Sequence, residues 1–186
     1  MNPAPAPIAD SVRLAWPAEA TAIAELQRRV WASGLAAELA ATMLGGVTVA
    51  EMAEAWHQAI SRPPQARYRV LVAVEQDRVV GYATTVPAQD PDVDQAQEGE
   101  VQEFGVDPPA RHRGHGSRLL NACADTLRAD GFSRARWWVA SDDDELRQFL
   151  AAAGWAADGS HREIGSEDAA VRLRQVRLHT DLGPAG

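Results

Sequence analysis

The stretch VDPPARHRGHGSRLL, residues 106–120, crowds arginines, histidines and two glycines between an apolar strand pattern and an apolar helix pattern. In a chain with a formal net charge of −8, such a cationic, glycine-punctuated corner needs a reason. Pro108, Pro109 and one glycine are ordinary turn chemistry, but a second glycine in the first turn of a helix weakens it unless the backbone must approach something closely. A helix N-terminus presents unpaired N–H groups and the positive end of a dipole, which suits an anion. The amides from His112 to Ser117 are expected to face the incoming helix axis, with Gly114 and Gly116 removing the Cβ atoms that would block a phosphate. Arg111 and Arg113 add charge-assisted bonds to phosphate oxygens. The bland alternative, a tight turn with solvated arginines, requires only one glycine. A Walker A loop is excluded by the missing Gly-Lys-Ser/Thr ending, and only the last two of the three glycines of a dinucleotide fingerprint are matched.

A length of 186 residues predicts one domain with a substantial core over residues 11–183, preceded by a flexible tail, residues 1–10. The tail, MNPAPAPIAD, has neither a basic nor an apolar segment and does not read as an export signal. Nucleic acid and anionic membrane surfaces need a broad positive field, so neither is an expected partner. No stretch is long and apolar enough to span a bilayer. The one cysteine, Cys123, excludes an intramolecular disulfide framework and a cysteine-rich zinc site; a cytoplasmic location is the expectation. His112 and His115 are three apart with no further ligands at metal spacing, so no metal is expected.

Residues 11–15 read as a short strand, after which Pro17 opens a helical pattern through Ile23, Leu26 and Val30. A second helix covers residues 35–44, and a third begins at Thr48, whose hydroxyl forms a capping box with Glu51. RYRVLVAVE and RVVGYATTV are strands joined by a Gln76-Asp77 hairpin turn, and residues 89–100 interrupt as a polar loop. EVQEFGV is the next strand; the opening stretch leads from it to a helix with Leu119, Leu120, Cys123 and Leu127 on one face, ended by Gly131. ARWWVA is a buried strand, and Ser141 with Asp144 caps a short helix stopped by Gly154. In the last strand the apolar residues change phase between Val171, Leu173 and Val176, Leu178, which predicts a bulge near Gln175. This order predicts an α+β fold on one mixed sheet.

The run RHRGHG, Arg111 to Gly116, matches the R/Q-x-x-G-x-G/A signature of the GNAT superfamily of acetyl-coenzyme A-dependent N-acetyltransferases, in its expected place between strand and helix. WWVAS looks like the strand that follows in that family, and DDDELRQFLAAAGW resembles the next segment, where N-x-x-A-x-x-F-Y-x-x-x-G-F is usual. The likeness covers residues 66–156 closely. It implies a GNAT-like mixed, mostly antiparallel central sheet flanked by helices, with strands 100–106 and 135–140 splayed to hold acetyl-coenzyme A as co-substrate.

The resemblance also implies site residues. The pyrophosphate would bind the amides of His112, Arg113, Gly114, His115, Gly116 and Ser117 beside Arg111. The pantetheine arm would pair with backbone near Phe104 and Val106 as an added strand, with Gly105 as a bulge whose amide polarises the thioester carbonyl. The attacking amine must be neutral, so a carboxylate base is required; Glu103, nearest the bulge, is the first candidate and Glu100 the second. Alternation puts the two on opposite faces unless a bulge intervenes. Asp143 replaces the usual asparagine among the coenzyme A contacts. Leu150 stands where a tyrosine often protonates the thiolate, leaving water, Tyr82 or His161 to do so, or an unassisted thiolate.

The expected acceptor is a small-molecule or peptide amine: a polyamine, an amino acid, an aminoglycoside-type antibiotic, a protein N-terminus or a lysine. The acidic loop with Asp90, Asp92, Asp94 and Glu98 suits steering of an ammonium group. Trp31 and Trp56 suit either an acceptor wall or helix packing, and Cys123 suits the core. A homodimer stays open. The alternative of another class is a non-catalytic module that binds coenzyme A esters as a sensor, which Leu150 keeps open.

Overall fold

The computed structural model describes residues 11–165 and 172–183; the expected tail, residues 1–10, and Val171 lie outside the described residues. The elements are β1 (Ser11–Leu14), a 3-10 turn (Pro17–Glu19), α1 (Ala20–Gly34), α2 (Ala37–Gly45), α3 (Val49–Ser61), β2 (Arg69–Glu75), β3 (Arg78–Pro87) and β4 (Glu98–Val106). A second 3-10 turn (Pro108–Ala110), α4 (His115–Ala129), β5 (Arg134–Ala140), α5 (Asp144–Ala152), β6 (Ala156–Gly165) and β7 (Arg172–Asp181) follow. The strands form one mixed sheet in the order β1-β2-β3-β4-β5-β7-β6, parallel between β4 and β5. The α+β class is as the sequence predicts. The β4/β5 register comprises Glu98 to Glu100 against Arg134 to Arg136, while β4 continues to Val106 and β5 to Ala140.

The chain divides into two compact units, and β3, β4 and α4 each contribute to both. The first holds the chain to Thr84 together with Glu103–Cys123. Its β2 is buried from Val70 to Val74 because it is covered on both faces. Val70, Val72 and Val74 pack with Ile23, Leu26, Met52 and Trp56 of α1 and α3, while Ala73 packs with Val80 and Ala110. Thr48 and Glu51 form the capping box of α3, Glu51 N donating to Thr48 Oγ1 (3.2 Å) and Thr48 N to Glu51 Oε2 (2.8 Å). Gln76 and Asp77 both adopt positive φ, 48° and 62°, the two left-handed residues that a tight hairpin turn with matching twist needs.

The second unit contains Thr85–Gln102 and the chain from Ala124. The structure departs from the sequence pattern at two points. The cap of α5 is Asp143, whose carboxylate accepts from Leu146 N at 3.0 Å, and not Ser141. The irregularity expected near Gln175 lies instead in β6, between Ala157 and His161 and opposite β7, whose register with β5 runs unbroken from Ala140/Gln175 to Arg134/Asp181. The apolar phase of β7 changes because the face bearing Arg177 meets a buried ionic cluster. The Arg177 guanidinium is 5% exposed and bonds Asp90 Oδ2 (3.1 Å), Asp92 in bidentate fashion (2.8 and 2.7 Å), Asp158 Oδ2 (2.7 Å) and Ser160 Oγ (2.8 Å). Arg136 bridges Glu98 and Asp158, and Trp138 Nε1 donates to Asp90.

Arg177→Met should therefore destabilise the fold by about 3 kcal/mol or more at pH 7, because Asp90 would lose its nearest cation and Asp158 one of its two, leaving Arg136 alone on Asp158. Arg177 holds Asp92 down at about 2; at Asp158 burial works upward, but the Ser160 bonds and Arg177 outweigh it and the net direction is down. Groups depressed in the folded state contribute stability above their unfolded value, near 4, that is lost as the pH falls toward the folded value. Urea melts should show the gap between wild type and variant narrowing from pH 5 toward pH 2; a gap independent of pH would contradict this account.

Candidate active site

Asp107 closes β4 and starts the loop. It is 4% exposed, its carboxylate accepts from Arg29 Nε (3.0 Å) and Nη2 (2.9 Å) of α1, and its amide donates to Val80 O at 2.8 Å. Arg111 Nε donates to Val106 O (3.2 Å) and its Nη2 to Ser33 Oγ (3.1 Å). His112, with φ 60°, and Gly114, with φ 86°, are left-handed on either side of Arg113, the kind of backbone that turns successive amides into a concave anion cradle. Arg118 N bonds Gly114 O at 3.1 Å and opens α4, so the N–H groups of His115, Gly116 and Ser117 precede the intrahelical ladder. A Cβ added at Gly114 would meet only the Arg118 guanidinium, at 3.7 Å. The Arg118 guanidinium thus lies beside Gly114, a proximity its place in an ordinary helical run did not reveal. Arg113 is tied elsewhere, with its Nη2 2.5 Å from Glu75 Oε1; the same oxygen lies 3.3 Å from Nε2 of His115, which is buried.

Four residues before Asp107, Glu103 sits among aromatic and amide groups of the same unit. Its Oε2 accepts from Gln27 Nε2 of α1 (3.3 Å), and its backbone N–H donates to Thr84 Oγ1 of β3 (3.0 Å). Gln27 is 6% exposed, and its Oε1 accepts from Trp56 Nε1 of α3 at 2.8 Å. The Trp56 ring meets Tyr82 edge-on, with centroids 5.5 Å apart. Burial pushes the Glu103 carboxyl above its ordinary range, opposed by the Gln27 bond. Burial, and secondarily Glu103, pushes the Tyr82 phenol far up, so this residue is a neutral wall at physiological pH. At Gly105 a Cβ would lie 2.7 Å from Tyr82 Cε1 and 3.0 Å from Val30 Cγ2, so the missing side chain makes room for the Tyr82 ring on that face. Gln27 escaped sequence reasoning because a single glutamine in a helical repeat carries no motif.

Glu100 has separate surroundings, in the second unit. It is 6% exposed and pushed up to about 7, first by burial and then by Asp90, against the Arg162 and Arg177 charges and a Gln89 backbone bond. Asp143 is occupied as a helix cap, and Leu150 is fully buried. Trp56 packs in the core of the first unit and Trp31 against it. Cys123 is buried, its thiol pushed up to about 12 by burial. The acidic loop reads differently in three dimensions: Asp90 and Asp92 are bound by Arg177, Glu98 by Arg136, and Asp94 accepts from Ala96 N at 2.9 Å. Three of these four carboxylates are thus engaged by arginines of the same unit, and Asp94 by a backbone N–H alone.

The family model of the GNAT acetyltransferases matches residues 26–155, and the chain belongs to this family. It is 33% identical over 73 residues to the mycothiol acetyltransferase of Beutenbergia cavernae (39% of this chain, 25% of that protein). It is 32% identical over 108 residues to the phosphinothricin N-acetyltransferase of Streptomyces coelicolor (57% of this chain, 62% of that protein). The chain thus spans a quarter and somewhat under two thirds of these curated relatives. Its fold is that of an N-acetyltransferase from Staphylococcus aureus Mu50, with TM-score 0.73, 17% identity and coverage of 95% of this chain and 100% of that one. It is also similar to the PaiA N-acetyltransferase of Thermoplasma acidophilum in complex with coenzyme A, with TM-score 0.70, 12% identity and coverage of 94% and 99%.

Gly105→Ala should destabilise the protein by about 1–3 kcal/mol, because the Tyr82 ring is confined by Trp56 and cannot yield without disturbing the core. A chemical-denaturation midpoint indistinguishable from wild type would show that the ring moves freely.

Proposed function

We propose that this chain is an N-acetyltransferase passing an acetyl or short acyl group from acetyl-coenzyme A to a primary amine, of a small molecule or peptide, by direct attack in a ternary complex. The observation that carries this is the left-handed cradle of His112 and Gly114 opening α4, in the same compact unit as the half-buried carboxyl of Glu103. The amides of residues 112–117 would supply donors to a pyrophosphate, and Gly114 has the φ that an L side chain rarely adopts. The β4 backbone at Phe104 and Val106 would align the pantetheine arm, and Asp143 remains a candidate contact beyond its capping role. Acetyl-coenzyme A supplies a thioester-activated acyl carbon. Glu103 takes the proton of the acceptor nitrogen, since an ammonium ion has no lone pair with which to attack. One observation favours Glu100 for the same role: a carboxyl near 7 is matched to proton transfer at neutral pH.

Coenzyme A at a hundredfold excess over its Kd should raise stability by about 2.7 kcal/mol, roughly 5–10 °C in midpoint for a chain of this size, with NAD and ATP as controls. Gly116→Val and Arg111→Ala should weaken that binding, Arg111→Ala more at low salt than at high. Normal calorimetric binding by both variants would reduce the loop to a structural turn.

For the chemistry, thiol release from acetyl-coenzyme A should be measured over polyamines, amino acids, antibiotics and peptides. Glu103→Gln should lower turnover by about 10²-fold or more at neutral pH with cofactor affinity nearly unchanged, and Glu100→Gln should do less. The reverse order, with the acid limb of the pH–rate profile near 7, would transfer the role to Glu100. Tight cofactor binding without thiol release would favour the sensor reading, for which the buried hydrocarbon of Leu150 speaks.

A further inference from the structure

The carboxyl of Glu103 meets a side-chain amide whose orientation is dictated from one step further away. The indole N–H of Trp56 is a donor only, so the Gln27 atom 2.8 Å from it must be the carbonyl oxygen. The amide is planar, and its NH₂ is therefore the end presented to Glu103, 3.3 Å from Oε2. Were the amide reversed, two oxygens would face each other at Glu103 and two donors at Trp56. Gln27 and Trp56 are both buried, and Trp56 is braced edge-on by Tyr82, so the pair has little freedom to reverse.

We propose that Gln27, locked in one amide orientation by the Trp56 indole, is the positioning residue for Glu103, engaging Oε2 and leaving Oε1 as the atom that receives the acceptor's proton. A donor aimed at a carboxylate stabilises its ionised form, whereas burial favours the protonated one. Without the amide, Glu103 would hold its own proton to higher pH, and a carboxyl that holds its proton can accept none. Tyr82, the titratable side chain whose charge interacts with Glu103, stays neutral throughout this range and cannot replace the donor. The proposal rests on Glu103 as the base, but the ionisation of Glu103 can be read independently of catalysis.

The test is a ¹³C NMR titration of the full chain with labelled glutamate, the Glu103 signal being assigned by its loss in Glu103→Gln. Gln27→Met keeps the length and stem of the side chain without a donor, and Trp56→Phe keeps the ring against Tyr82 without the indole N–H. The Glu103 midpoint should rise by about one pH unit in Gln27→Met, and in the same direction in Trp56→Phe, because the amide can then turn its oxygen toward the carboxylate. The acid limb of kcat/KM should move upward in parallel. A Glu103 midpoint unchanged in both variants overturns the inference. A midpoint that rises while the acid limb stays in place leaves the positioning role standing and removes Glu103 as the base.

Discussion

The fork of Arg29 on Asp107 fixes the geometry from which the rest of the site extends. A carboxylate 4% exposed is costly to hold ionised unless a matched cation and further bonds meet it; the bidentate guanidinium and the Asp107–Val80 backbone bond do so. The chain consequently leaves β4 in one direction, with Pro108 and Pro109 setting the following turn and Arg111 tied back to Val106 O. Downstream this delivers the left-handed pair His112 and Gly114 to the start of α4. Upstream the same α1 that supplies Arg29 supplies Gln27 two residues earlier, so one helix braces both the start of the loop after β4 and the carboxyl of Glu103.

Much of this was legible in the sequence where the signal was local. The Thr48–Glu51 box, the Gln76-Asp77 turn and the glycines around α4 each express a backbone requirement that only a few residue types satisfy, so composition at a few adjacent positions is enough. What could not be read was pairing between residues far apart. Arg177 meets Asp90, 87 positions away, and Gln27 meets Glu103, 76 away. Nothing in QDPDVDQAQEGE indicates that its acids will be neutralised by arginines of β5 and β7, and alternation in β7 suggested a bulge because a buried arginine breaks an apolar pattern as a bulge does. Gly105 shows the same limit: a glycine reports close approach but not what approaches, and on its Cβ side that is the Tyr82 ring.

The two units handle charge differently. In the second, Asp90, Asp92, Asp158 and Glu98 are gathered around Arg136 and Arg177, and the benefit is to a closed network whose members satisfy one another. In the first, the charged groups of the loop are only partly spent on each other. Arg113 is paired with Glu75, and the N–H groups at the start of α4 precede its ladder. A chain of net charge −8 is compatible with the anion site proposed here, because repulsion between exposed charges is screened within about 10 Å at ordinary salt.

On the proposed reading, the two proton transfers of the reaction make unequal demands on the protein. A primary ammonium ion titrates near 10 and a thiol near 8.5, so at neutral pH the acceptor must lose a proton against a gap of about three units, whereas a thiolate departs with far less help. The polar burial follows that difference. On the side of the acceptor proton the chain buries Gln27 and Trp56 behind Glu103, three side chains held by two hydrogen bonds. Where the family often carries a proton donor, this chain has Leu150, whose buried side chain packs as hydrocarbon, and the phenol of Tyr82 is kept neutral by burial. A site organised in this way is limited by how completely its base is ionised, which makes the amide of Gln27, remote from every motif, as consequential for turnover as the glycines that announce the fold.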